Sequence, residues 1–323
     1  VLAFPPVSGK NVQVPYAVVP PLVIQIEDDM ARSLDASETR NKRGPVSWFR
    51  GSGYGLFIHW HENSASVDGA QLPYPDAVQR FPVEAFSDQA AEAGAAYVIF
   101  TITHVLTHLP FPLPYMDRLL PGRTCRRDLM ADLYEALSTR SIRLLFYHSW
   151  QANGDPQLAG VSGWKRDLNK WQEIMCGLVS AVGTRYGQRL SGWWIDNCRP
   201  DKWDGWMGDY DFRAMADALR TGNDERILAF NISGPAPPVP PPHDWRLAGI
   251  ADYAAGHLHE ELLIADAPTD AQGLQSHWCN NMDTSPKWYF KGDNRTLRFT
   301  DEEVVSAVSA NVRNGAVFTY GAA

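Results

Sequence analysis

The sequence lacks the features that would direct it to a membrane, a nucleic acid or a metal-thiolate centre. Its four cysteines, Cys125, Cys176, Cys198 and Cys279, stand far apart with no C-x-x-C pair. That spacing argues against a thiolate zinc site and leaves room for one or two disulfides. No stretch approaches the roughly 18 consecutive apolar residues that cross a bilayer, so no membrane partner is expected. Basic residues are in deficit, 29 Lys and Arg against 37 Asp and Glu, for a formal net charge of −8. With no basic stripe to neutralise phosphates, a nucleic-acid partner is not expected either. Nothing in the sequence fixes an oligomeric state, and no internal repeat is visible.

Tryptophan, by contrast, is plentiful, with 12 copies. Its flat apolar face suits the C–H side of a sugar ring, although it fills cores equally well. The chain opens at Val1, which is compatible with a removed signal peptide. Sequons occur at Asn231 and Asn294; Asn231 sits in an apolar run that reads as a buried strand, leaving Asn294 as the credible glycan acceptor. Secretion to an extracellular, disulfide-permissive compartment is the expected localisation.

Residues 1–47, Pro-rich and then polar, read as an arm packing on the domain that follows. From residue 48 to 323 short apolar runs rich in β-branched and aromatic residues alternate with longer amphipathic segments. That alternation is the signature of repeated βα units on a parallel sheet. Eight strands are expected, over 54–60, 96–103, 142–149, 190–197, 226–233, 250–254, 274–279 and 315–321. Helices are expected over 83–93, 126–140, 163–186, 210–221 and 301–313. In the second of these Leu129, Leu133 and Leu137 recur four apart, as packing onto a sheet requires. A run of prolines over 234–242 replaces the helix after strand five, because proline cannot continue one. The fold class is therefore α/β, a (β/α)8 TIM-type barrel, partly irregular after strand 5.

In such a barrel the C-terminal strand ends converge on one pocket, so polar residues there are the default functional set. Strand one ends in His59, Trp60, His61 and Glu62, strand two in Thr103-His104, and strand three in Tyr147, His148, Ser149 and Trp150. Strand four ends in Trp194-Ile195-Asp196-Asn197, strand five near Asn231, strand six in Asp252 followed by His257, His259, Glu260 and Glu261, and strand seven in Trp278. Every histidine except His108 and His243 belongs to this set or directly follows its strands. Asp196 emerges from a buried apolar run, where a carboxylate is costly unless bonded, paired or functional. The bland alternative is a loop cap or a partner for Arg199. Glycoside cleavage needs a second carboxyl near the first, and Glu260 and Glu261 are the nearest by topology, with Glu62 and Asp252 in reserve. His59 and His61, two apart on a strand, point the same way. They could bind sugar hydroxyls or ligate a metal; a full metal set would want a lysine near strand four and further histidines, which are missing. No cofactor is expected.

The segment Ser47-Trp-Phe-Arg-Gly-Ser-Gly-Tyr-Gly-Leu-Phe-Ile-His-Trp resembles the opening strand of the α-L-fucosidases of glycoside hydrolase family 29. Ala93-Gly94-Ala95-Ala96-Tyr97, Arg127-Asp128-Leu129, Leu145-Phe146-Tyr147-His148-Ser149 and Trp193-Trp194-Ile195-Asp196-Asn197 resemble, in order, that family's approach to strand two, its following helix, its strand three and its nucleophile strand. Trp288-Tyr289 and the segment from Asp301 to Gly315 resemble its closing region. The resemblance implies a retaining exo-glycosidase with Asp196 as nucleophile, His59, His104 and Tyr147 in the sugar pocket and Trp288 beside it. Departures lie in the pocket: His61 stands for a glycine, His104-Val105 for a His-His pair, and no arginine accompanies Asn231. A C-terminal β-sandwich is not expected. The readings that remain are a retaining glycosidase with a carbohydrate substrate, a metal-dependent hydrolase using His59 and His61, and a non-catalytic carbohydrate-binding relative.

Overall fold

The computed structural model describes residues 44–64, 71–198, 206, 208–232, 249–258, 261–270, 273–284 and 296–322. Its centre is one curled, wholly parallel sheet formed by β1 (Tyr54–Ile58), β2 (Tyr97–Thr101), β3 (Arg143–Ser149), β4 (Gly192–Asp196), β5 (Ile227–Phe230), the two-residue β6 (His257–Leu258), β7 (His277–Asn281) and β8 (Val317–Ala322), in the order β5-β4-β3-β2-β1-β8-β7-β6. The described helices are α1 (Ser47–Ser52), α2 (Tyr74–Arg80), α3 (Val83–Glu92), α4 (Pro114–Leu119), α5 (Leu129–Ser138), α6 (Pro156–Ser162), α7 (Leu168–Tyr186), α8 (Phe212–Leu219) and α9 (Asp301–Arg313). None is long and apolar enough to cross a membrane. The architecture is α/β and consistent with a TIM-like barrel.

Both faces of the strands are apolar because both are covered, as in parallel sheets generally. One parity, including Leu56, Val98, Phe100, Leu144, Phe146, Trp193 and Leu228, packs outward with the helices. The other, including Phe57, Ile99, Leu145, Tyr147, Trp194, Ala229, Cys279 and Val317, fills the concave interior. Gly55 belongs to this inner parity and leaves room for the Tyr97 ring, which a Cβ would strike at 2.3 Å. At the N-terminal end Phe49 of α1 plugs the interior, its ring 4.9 Å from Tyr97 and 4.7 Å from Tyr253.

Strands one to five, seven and eight lie where the apolar runs placed them. The sixth differs: the ladder with β7 forms at His257–Leu258 rather than over 250–254. The earlier segment still lies between its neighbours, since Asp252 N and Tyr253 N both donate to Leu228 O of β5 and Tyr253 bridges Gln275. Asp252 fixes this arrangement. Its carboxylate accepts from Gly44 N at 2.6 Å, from Leu228 N at 2.7 Å and from Arg220 at 2.7 Å. It is therefore a structural residue, and burial pushes its pKa up to about 6 against the pull of Arg220. The helix expected over 163–186 starts later, as α7 from Leu168 with Asp167 as its cap, because Gly163 at φ +82° ends the separate short helix α6. The polyproline run over 234–242, and the arm up to residue 43, lie outside the described residues.

The four thiols correct the disulfide expectation, since no disulfide joins any of them. Cys125 lies 3.9 Å from His108, Cys176 lies 3.7 Å from the Tyr210 hydroxyl, and Cys198 points to Ile195 O and Asn231 O. Cys279 is buried inside the sheet.

Arg226, fully buried at the start of β5, donates every N–H direction to main-chain carbonyls: Leu190, Leu219, Thr221, Gly183 and Gly187. These carbonyls gather at and beyond the C-terminal ends of α7 and α8, where helix dipoles favour a cation. Burial lowers its pKa to about 10, which still leaves it charged at neutral pH. Arg226→Met is expected to strand several buried carbonyls and to lower stability by about 3 kcal/mol or more. Urea unfolding of the variant checks this, and a midpoint within error of wild type would reject the role.

Candidate active site

Asp196 ends β4 and its side chain lies on the concave face, sharing parity with Trp194. Four hydrogen bonds reach its two carboxylate oxygens. The Tyr147 hydroxyl on β3 donates to Oδ2 at 2.6 Å, Asn231 Nδ2 beyond β5 donates to Oδ1 at 2.9 Å, and Asn197 donates from its backbone N (2.8 Å, to Oδ1) and its Nδ2 (3.0 Å, to Oδ2). Asn197 can reach back in this way because it adopts φ +58°, and its Nδ2 also touches Ser149 Oγ at 3.1 Å. All these donors are neutral. Among the described residues no lysine or arginine forms an ion pair with Asp196.

The Tyr147 ring stacks on Trp194 at 5.4 Å and 21°. Burial first, and then the Asp196 carboxylate, hold its hydroxyl well above the ordinary phenol range, so it stays a donor. Asn231 Nδ2 also lies 3.1 Å from His257 Nδ1, which ties β6 to the same network.

Beside this carboxylate stand three imidazoles. His59 and His61 share one face, as their spacing requires, and His104 enters from the turn after β2. Ring centroids are 4.4 Å apart for His59 and His104, 4.4 Å for the stacked pair His61 and His104, and 5.4 Å for His59 and His61. His59 meets Tyr147 edge-on at 4.9 Å. Burial, followed by the like charges of His104, His61 and His257, keeps His59 well below the usual imidazole pKa. Burial also lowers His104, opposed by the negative charge of Asp196.

The His104 turn is clamped from two sides. Glu62 Oε1 accepts from Leu106 N at 2.8 Å, and the buried Asp155 accepts from Thr107 N at 3.0 Å while paired with Arg123. Gly154 is closely overlaid by Val105, which a Cβ there would strike at 2.3 Å. Glu62 is thus buried beside His61, with Nδ1 and Oε2 3.8 Å apart, and burial raises its pKa.

Several expected pocket residues lie elsewhere. Trp60 packs outside the sheet against Tyr74, Phe81 and Phe100. His148 and Trp150 have the outward parity of β3 and meet each other and Trp193 in the outer layer, His148 also bonding Thr103. Trp278 packs with Phe318 and Tyr320 on the outer face. Strand alternation sends these four side chains to the helical layer while their neighbours Tyr147, Ser149 and Cys279 face in. Glu261 is exposed, and its carbonyl accepts from Asn280 Nδ2. His259, Glu260, Trp288 and Asn294 lie outside the described residues. Asn197 and Ser149 stood among the strand-end residues without an assigned role; the signal for the role of Asn197 was an asparagine, tolerant of left-handed backbone, directly after a strand-end aspartate.

No family model matches the chain, and no curated protein does. Its fold is shared with solved glycoside hydrolases. An endo-fucoidan hydrolase, MfFcnA4, from glycoside hydrolase family 107 aligns with TM-score 0.61 and 17% identity over 85% of this chain and 49% of that one. Alpha-L-fucosidase isoenzyme 1 from Paenibacillus thiaminolyticus gives 0.58 and 19% over 85% and 69%. Alpha-L-fucosidase AlfC from Lactobacillus casei, solved with α-L-fucose product, gives 0.58 and 14% over 85% and 90%. The chain spans about half the length of the fucoidan hydrolase, 49%. What the chain shares with these fucosidases and the fucoidan hydrolase is their fold.

The outward His148 and the inward His277 are structural. Burial pulls their pKa values to about 3 and about 4 from the ordinary 6.5. The folded chain therefore keeps both neutral at a pH where the unfolded chain takes up protons. Stability is present above 6.5 and is lost as pH falls below it, by about 1.5 kcal/mol per histidine between pH 6.5 and 5. Urea midpoints across that range are expected to flatten in His148→Gln by one histidine's share; an unchanged slope would refute this.

Proposed function

We propose that the chain is a retaining exo-glycoside hydrolase of the family 29 kind, built on a (β/α)8 barrel and acting on α-L-fucosides or a related glycoside. One observation carries the reading: Asp196 is a carboxylate held from two sides by neutral donors, with no cation in ion-pair contact among the described residues, at the strand end where barrel enzymes do their chemistry. Such a group keeps its negative charge available to a developing oxocarbenium ion, and its oxygen can attack the anomeric carbon. Bond formation from Asp196 accompanies departure of the aglycone oxygen, which takes a proton from an acid. Water, deprotonated by the same group, then releases the sugar.

His59, His61 and His104 present ring nitrogens to sugar hydroxyls, and neutral imidazoles can both donate and accept. The Trp194 ring and Asn231 complete the floor. The acid/base is assigned to Glu260 or Glu261, following β6; retention requires it roughly 5 to 5.5 Å from the nucleophile. Fucosides are favoured by the shared fold and by the matched His59-Trp60 and Asp196 motifs together. Secretion belongs to the same proposal and rests on the Asn294 sequon, since no disulfide joins the thiols.

A panel of aryl glycosides, including the fucoside, the galactoside and their epimers, tests this. Wild type is expected to turn over at least one, and Asp196→Asn or Asp196→Ala to lose roughly a thousandfold or more. Azide or formate should partly restore the Asp196→Ala variant by entering the vacated space as nucleophile. Sugar binding with no turnover of any glycoside by wild type would leave the non-catalytic relative as the correct description.

A further inference from the structure

We propose that His59, His61 and His104 form a transition-metal site that takes a borderline divalent cation such as Zn2+ at the floor of the pocket, where the ion would obstruct a sugar rather than serve as a catalyst. Each ring offers one nitrogen, and these all lie within 4.8 Å of one another. Zinc–imidazole bonds of about 2.0–2.1 Å put tetrahedral ligand nitrogens about 3.4 Å apart, so the rings need to close by little more than an ångström. His59 and His61 already share a strand face, and His104 is held over them by the clamped turn.

Charge favours the same occupant. Metal ligation requires neutral imidazole, the form an ordinary histidine takes above about pH 6.5. Asp196 already draws positive charge toward His104 and would act on a cation in the same sense. Three uncharged nitrogens with an open fourth position select zinc, copper or nickel over magnesium or calcium, which want oxygen ligands.

An independent observation is the second carboxylate oxygen of Glu62. The Glu62 side chain is 8% exposed, and Oε2 makes no hydrogen bond, lying 3.8 Å from His61 Nδ1. That Nδ1 accepts from Asn63 N at 3.2 Å, so Nε2 carries the ring proton and would yield it on binding a metal. Ligation at Nε2 puts the ring proton on Nδ1, which gives up the Asn63 N–H and, with a small rotation of the ring, donates to Glu62 Oε2. The result is the carboxylate–histidine–metal relay that orients ligands in established sites.

The test is calorimetric titration of the full chain with zinc chloride at pH 7.5, with magnesium chloride as control. One Zn2+ per chain is expected, with no heat from Mg2+. His61→Ala and His104→Ala should each weaken binding by at least tenfold, and Glu62→Gln by about tenfold. Thermal melts confirm that each variant folds, and His104→Gln substitutes if the alanine variant does not. The cobalt spectrum of wild type needs no variant: tetrahedral d–d bands without a thiolate charge-transfer band are expected. Absence of zinc binding, binding unchanged in both histidine variants, or a thiolate band would each overturn the proposal. Because the readout is the metal itself, a chain that binds zinc but hydrolyses nothing would count against the glycosidase reading alone.

Discussion

The Asp196 carboxylate sits at the end of β4 with four hydrogen bonds from a phenol, two amides and a backbone N–H, contributed by β3, the end of β5 and its own following residue. Dipoles satisfy a charge without cancelling it. The field of the carboxylate therefore extends into the pocket, where His104 registers it. Much of the interior can be understood as support for that placement. Trp194 and Tyr147 stack beneath, Asn231 spans to His257, and the inner parity of the strands brings all of them to one level.

Behind the site the support becomes structural. Arg226 gathers main-chain carbonyls around α7 and α8 at the opposite end of the sheet from Asp196, and Asp252 joins the segment near residue 44 to β5. Neither group faces the pocket. Each satisfies main-chain groups that would otherwise be buried at a cost, and so holds in register the strands whose far ends carry the chemistry.

Strand positions were legible because parallel strands buried on both faces appear as uninterrupted apolar runs, and seven of them fell where expected. The same property hid which parity faces inward: when both faces are apolar, alternation gives no sign of direction. Trp60, His148, Trp150 and Trp278 were consequently placed in the pocket although they pack outward, whereas His59, His61, Tyr147, Trp194, Asp196 and Asn231 lie on the inner side. The sixth strand was displaced by a few residues because its pairing at His257–Leu258 is short and carries no apolar run. The Glu62 clamp on the His104 turn was invisible for another reason, since residues 62 and 106 meet only through tertiary folding.

Asn197 combines two demands in one residue. Its backbone occupies the left-handed region, which costs most side chains roughly 1 kcal/mol or more, and its amide must reach both Asp196 and Ser149. Glycine answers the first demand and glutamine, at best, the second. In a library randomised at this codon and selected for function, the survivors should collapse onto asparagine, with glycine as the residual background.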